Sequence, residues 1–199
     1  MESQPSIYEF LRRPENLQVA LDVASYVEEL RAHLHKTFWQ DIKKALFDRL
    51  ANSPYSKRWE ISMSDIPCEK PYKNLLIALK SVSASPQSSY LCVTLEQGEP
   101  RYKYQLYYGL RWEPAERAEP RRESYKKLLA KSKKLGADYR MRPWWPASCL
   151  LETYLRSDEV VKEYGTDPTG FVHNLADQIW DYFTGLEAEL YAFDKEILG

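Results

Sequence analysis

The chain has 199 residues, 44% of them hydrophobic and 14% aromatic, which is enough to bury a sizeable core in one domain and argues against a disordered body. Twenty-eight lysines and arginines stand against 29 aspartates and glutamates, so total charge selects neither nucleic acid nor a membrane surface as partner. The distribution is uneven: residues 1–120 hold 16 basic and 16 acidic residues, 121–142 nine and two, 143–199 three and eleven, balances of 0, +7 and −8 that total the net −1.

In chain order, the first predicted element is a long helix. Pro14 suits its first turn, and from Leu17 to Leu50 the residues Val23, Val27, Leu30, Leu34, Phe38, Ile42 and Leu46 recur every three or four positions as one apolar, core-facing stripe. Asn52-Ser53-Pro54 stops it. Short extended segments follow at Trp59 to Ser64, Tyr90 to Glu96 and Arg101 to Trp112, with Leu75 to Val82 open to either strand or helix. Gln97-Gly98-Glu99-Pro100 reads as the hairpin loop between the last two strands.

The strand RYKYQLYYGLRW, residues 101 to 112, alternates. Tyr102, Tyr104, Leu106, Tyr108, Leu110 and Trp112 fall on one face; Arg101, Lys103, Gln105, Tyr107, Gly109 and Arg111 fall on the other. A base-stacking sheet needs rings and cations on one exposed face. Here they are mostly separated, so the expected arrangement is an aromatic face against helices and a polar face toward solvent, with Tyr107 and Arg111 as a small candidate contact patch.

Next come a basic helix from about Arg121 to Leu135, ended by Gly136, and the loop Pro143-Trp144-Trp145-Pro146. Adjacent tryptophans in an extended segment point to opposite sides, so one ring should pack inward and the other is a candidate partner anchor. A short helix has Ser157 before Asp158 and Glu159, and Asp167-Pro168 opens a terminal helix striped by Val172, Leu175, Ile179, Phe183, Leu186, Leu190, Phe193 and Ile197. Gly185 weakens that helix locally, by up to about 1 kcal/mol against alanine. The order predicts a single α+β domain over residues 1–199, a small antiparallel β-meander (57–112) packed against a long N-terminal helical arm (1–52) and a helical part (121–199).

Catalytic signatures are missing. No GxGxxG, Walker loop, HExxH or GxSxG occurs. His33 and His35 lie roughly 200° apart around a helix and cannot share a metal, and His173 stands alone. Cys68, Cys92 and Cys149 are odd in number and form no CxxC, which fits a reducing compartment. The N-terminus has no leader pattern and no run approaches the roughly 18 apolar residues of a membrane span. A cytoplasmic protein without a membrane partner, cofactor or metal is expected.

The segment FLRRPENLQVALDVASYVEELRAHLHKTFWQDIKKAL, residues 10 to 46, resembles the region that follows the catalytic core in bacterial restriction-like PD-(D/E)XK nucleases, and Tyr107 to Trp112 is similar to the strand that comes next there. The resemblance implies carboxylates that hold Mg²⁺ and a lysine that orients water. The one D/E-x-K is Asp41-Ile42-Lys43, inside the strongest helical pattern; Asp65, Glu69 and Lys70 have the wrong spacing and are interrupted by Pro67 and Pro71. No catalytic residue is assigned. What remains is a non-enzymatic accessory module of bacterial phage defence or counter-defence, binding another protein, a second copy of itself or nucleic acid; a divergent nuclease subunit and a structural dimerisation domain are the alternatives. The candidate site for nucleic acid or an acidic partner is Arg121, Arg122, Lys126, Lys127, Lys131, Lys133, Lys134, Arg140 and Arg142, with Tyr107, Arg111, Trp144 and Trp145 as interface candidates.

Overall fold

A computed structural model describes residues 7–64, 76–84, 89–98, 104–113, 122–137 and 143–198. After a short helix α1 (Ile7–Leu11), α2 (Pro14–Ala51) begins with its proline in the first turn. It ends where the Asn52 side chain donates to the Asp48 carbonyl, 2.8 Å away. Then come β1 (Trp59–Met63), β2 (Leu76–Ser81), β3 (Tyr90–Gln97) and β4 (Gln105–Glu113). Helix α3 (Glu123–Lys134) precedes β5 (Ala147–Tyr154), α4 (Asp158–Thr166) and α5 (Pro168–Leu198). The Ser157 hydroxyl caps α4 by accepting from Val160 N–H, and Asp167 caps the start of α5 through Gly170 N–H at 2.9 Å.

The five strands pair in sequence order, all antiparallel, as one meander. Strand alternation sends Leu91, Val93 and Leu95 of β3 and Leu106, Tyr108, Leu110 and Trp112 of β4 toward the helices. There they meet Phe38, Ile42 and Leu46 of α2 and Ile179, Phe183, Leu190 and Phe193 of α5 in one hydrophobic core. The α+β arrangement expected from the sequence is therefore present, with long helices at both ends of the chain packed on the sheet.

Three expectations are corrected. First, the region read as helices joined by a loop contains β5, an edge strand whose segment ASCLLETY has a single β-branched residue, Thr153, and so carries little strand signal. It approaches β4 closely: Gly109 has φ +154°, and a Cβ there would collide with the Ala147 carbonyl and Ser148 Cα. Second, β4 starts at Gln105, after Tyr104 at φ +58°, while Arg101 and Lys103 lie outside the described residues. Third, the polar face of β4 is not solvated: Tyr107 and Arg111 are only 6% and 9% exposed. Arg111 is held between the carboxylates of Glu96 and Glu113 on the same face, and Tyr107 packs edge-on against Trp145, centroids 5.1 Å apart.

Gly185 also has a local reason. A Cβ at that point of α5 would come within 2.8 Å of the Leu135 methyl group, so the missing side chain lets the end of α3 settle onto α5.

Candidate interaction surfaces

The periodicity of the basic helix α3 predicts an inward stripe of Tyr125, Leu128, Ser132 and Leu135; the first three are buried, while Leu135 stays partly exposed. Its cations are divided. Arg122 donates to the Glu196 carbonyl oxygen at 2.7 Å, and Lys131 donates to both oxygens of Glu189 at 2.9 Å, so these two are tied to the acidic helix α5. Lys126 stands 3.6 Å from Glu123 on its own helix. Lys127, Lys133 and Lys134 point to solvent, the last two in the final turn, where cations complement the helix dipole. The charge asymmetry of the sequence is thus partly cancelled inside the molecule. Arg121, Arg140 and Arg142 lie outside the described residues.

The two tryptophans do diverge. Trp145 is 1% exposed on the Tyr107 side of the sheet, while Trp144 is half-buried against the helix-side core. The Trp144 carbonyl accepts from Trp112 N–H at 2.9 Å, so this loop extends the β4–β5 pairing. Of the four interface candidates, only Trp144 keeps appreciable surface; Tyr107, Arg111 and Trp145 are interior.

The largest exposed apolar surface lies elsewhere. Full burial along α2 begins at Phe38, the residues from Arg31 to Thr37 are mostly half-buried, and residues 17–30 are exposed apart from a half-buried Ala20. Fourteen large hydrophobic residues are exposed among the described residues, and ten of them fall between Ile7 and Leu30, at 40–79% exposure. They include Leu17, Val19, Leu21, Val23, Tyr26, Val27 and Leu30. The sequence stripe that runs unbroken from Val23 to Leu46 is consumed by the core only from Phe38 onward, with Leu34 at the boundary. The sequence shows the stripe but not where this chain's own core stops covering it; the excess apolar residues outside the stripe, Val19, Leu21 and Tyr26, were the available signal.

The arm leaves the body through a polar clasp. Arg31 pairs with Glu28 of its own helix at 2.6 Å and with Asp158 of α4. One turn on, the Gln97 side-chain oxygen accepts from Trp39 Nε1 at 3.0 Å and lies 2.6 Å from His35 Nε2. Tyr104 packs edge-on against His35, and the Arg156 guanidinium lies over the Tyr104 ring. Burial lowers the His35 pKa against a smaller opposing effect of its hydrogen bond to Gln97, and the nearby Arg156 adds to the lowering.

Asp41-Ile42-Lys43 is helical, as expected. Ile42 is buried, and Asp41 accepts from the Tyr164 hydroxyl at 2.8 Å, which with burial pushes the phenol pKa up. A shallow cleft of about 290 Å³ beside it is lined by Lys44, Asp48, Thr169 and His173; Lys44 and Asp48 neutralise one another at 2.7 Å. Among the described residues no group of three or more His, Cys, Asp or Glu side chains is placed to hold a metal ion. Asp65, Glu69 and Lys70 lie outside them. No described helix is long and apolar enough to cross a membrane.

Compared with known proteins, the chain matches no family model, no curated protein and no solved structure.

Proposed function

We propose that this protein is a non-enzymatic interaction module that docks a protein partner along the projecting half of α2. The observation that carries the reading is the concentration of exposed apolar residues there: seven large side chains over residues 17–30 of α2, with three more on α1, against four on the rest of the described surface. Large exposed apolar residues gathered on one segment mark a binding surface more often than ones scattered singly over a protein. Arm residues do not support the core from which they project, so selection for folding alone does not account for them. Nucleic-acid binding through α3 is the weaker reading, because Arg122 and Lys131 already serve α5. A setting in bacterial defence or counter-defence is proposed on the resemblance of residues 10 to 46 alone.

The test is the full chain carrying Val23→Glu and Leu30→Glu. Both sites are solvent-facing in the isolated chain, so its circular dichroism and unfolding midpoint should stay unchanged while protein capture is lost. A folded double variant that captures the same proteins with the same affinity would refute an arm-based module.

A further inference from the structure

Independently of what the arm docks, we infer that the joint between the arm and the body is a pH-sensitive latch: a proton taken up by His35 releases residues 31–37 of α2 from α4 and from the ends of β3 and β4, so that acid lengthens the free arm by about two turns. The ring stands at the joint itself. Residues 17–30 are exposed apart from Ala20, residues 31–37 are mostly half-buried, and Phe38 and Trp39 are fully buried. Three other parts of the chain converge there. The Gln97 side-chain oxygen at the end of β3 lies 2.6 Å from Nε2, and the Tyr104 ring just before β4 packs edge-on with centroids 4.9 Å apart. The Arg156 guanidinium, between β5 and α4, lies 4.9 Å from the Tyr104 centroid. The His35 ring also lines a small apolar cavity with Leu155, Val160 and Tyr164. Among the described residues, two polar links run from this stretch to the body: Arg31 to Asp158, which is exposed, and His35 to Gln97, which is sheltered.

The Gln97 oxygen also accepts from Trp39 Nε1 at 3.0 Å, which fixes it as an acceptor, so His35 Nε2 is the donor toward it and an incoming proton goes to Nδ1. The resulting cation has poor company. Gln97, Tyr104 and Tyr164 are uncharged, and Arg156 carries a charge of the same sign. Arg31, one turn back on α2, is a second cation, and the nearby anions Glu28 and Asp158 are both bound to it. Their side chains are 59% and 82% exposed, so solvent screens them from the ring. The remaining charges of α4, on Glu159, Lys162 and Glu163, are exposed. Burial holds the His35 pKa below its ordinary 6.5 against the smaller effect of the Gln97 bond, and Arg156 adds to the lowering. Charging the ring therefore costs free energy in the closed joint and none once it reaches water. With the closed value below the open one, the latch is shut above pH 6.5 and opens as pH falls through the closed value.

The experiment is amide exchange on the full chain, corrected for intrinsic rates, at pH 7.5 and pH 5. Protection of residues 31–37 and 158–164 should fall about fivefold or more at pH 5, within the ~30-fold ceiling set by lying 1.5 pH units below the free-ring value. Residues 42–50 of the same helix and 175–190 of α5 should change less than about twofold. His35→Gln keeps an N–H donor for Gln97 and cannot titrate, so it should hold the same protection at both pH values. Protection of residues 31–37 that ignores pH in the unsubstituted chain would overturn the latch. So would a fall that persists in folded His35→Gln, since the proton would then act elsewhere. A second measurement does not need that variant: proton NMR of the three histidine rings, assigned with His33→Gln and His173→Gln, should place the His35 midpoint below 6.5 and move it upward in Arg156→Gln. A midpoint at or above 6.5, or one that Arg156→Gln leaves in place, would equally refute the latch.

Discussion

Asp194 is the least comfortable side chain in the molecule. It is 2% exposed on α5, neither carboxyl oxygen has a hydrogen-bond partner, and burial pushes its pKa up to about 7. Because the folded value lies above the unfolded one of about 3.9, its contribution to stability is fully present below pH 4 and is lost as pH rises through 7. Asp194→Asn should therefore raise unfolding free energy at pH 8, by on the order of 1–3 kcal/mol, and have little effect at pH 4. Urea titrations at the two pH values check this, and a larger gain at pH 4 would contradict it. His35 acts in the opposite sense. Its lowered pKa gives stability that is complete above about pH 6.5 and lost as pH falls below it, so His35→Gln should flatten the acid limb of the stability profile. Cys92 joins neither limb: burial pushes its thiol up to about 11, and it should resist alkylation in the native chain while Cys149, which is partly exposed, reacts.

Helix α2 divides into two halves with different duties. In the embedded half, Phe38→Ala should cost about 3–5 kcal/mol, the usual range for a phenylalanine lost from a core. In the projecting half, Val23→Ala in the monomer should change stability by less than about 0.5 kcal/mol, as for most surface positions. Thermal denaturation of the two variants at low protein concentration separates the halves. In the sequence they differ only by the surplus apolar residues outside the stripe, Val19, Leu21 and Tyr26. The apolar stripe states that a face needs cover, and whether the cover is this chain or another depends on where β3, β4 and α5 run out. Element ends, by contrast, were legible, because capping chemistry is local: Pro14, Asn52, Ser157 and Asp167 each act within one turn. Strand β5 was not, since an edge strand with a single β-branched residue is defined by its pairing with β4. The fate of Tyr107 and Arg111 was equally hidden. Alternation assigns them to the second face, but their burial depends on Glu96, Glu113 and Trp145, contacts up to 38 residues away.

For the whole molecule, the intramolecular ties between α3 and α5 limit what its basic stretch can bind. With Arg122 and Lys131 engaged, fewer of the described cations remain to displace counterions from phosphates, so nucleic-acid retention should be weak at 150 mM salt and Lys127→Glu with Lys134→Glu should leave the oligomer mass unaltered. Filter binding and sedimentation check both. The purified chain should likewise show no Mg²⁺- or Mn²⁺-dependent cleavage of DNA or RNA; cleavage abolished by Asp65→Ala or Glu69→Ala would make it a nuclease. The division of α2 also means that one helix spans a gradient of local opening. An isolated helical segment of this length is marginal in water and draws its persistence from the turns that the core immobilises. Backbone amide exchange should therefore be slowest near Ile42 and quicken stepwise through His35 toward Pro14, with no loop or hinge to mark the transition. Covering the arm would flatten that gradient, so exchange rates along this single helix would report occupancy before any change in the sheet.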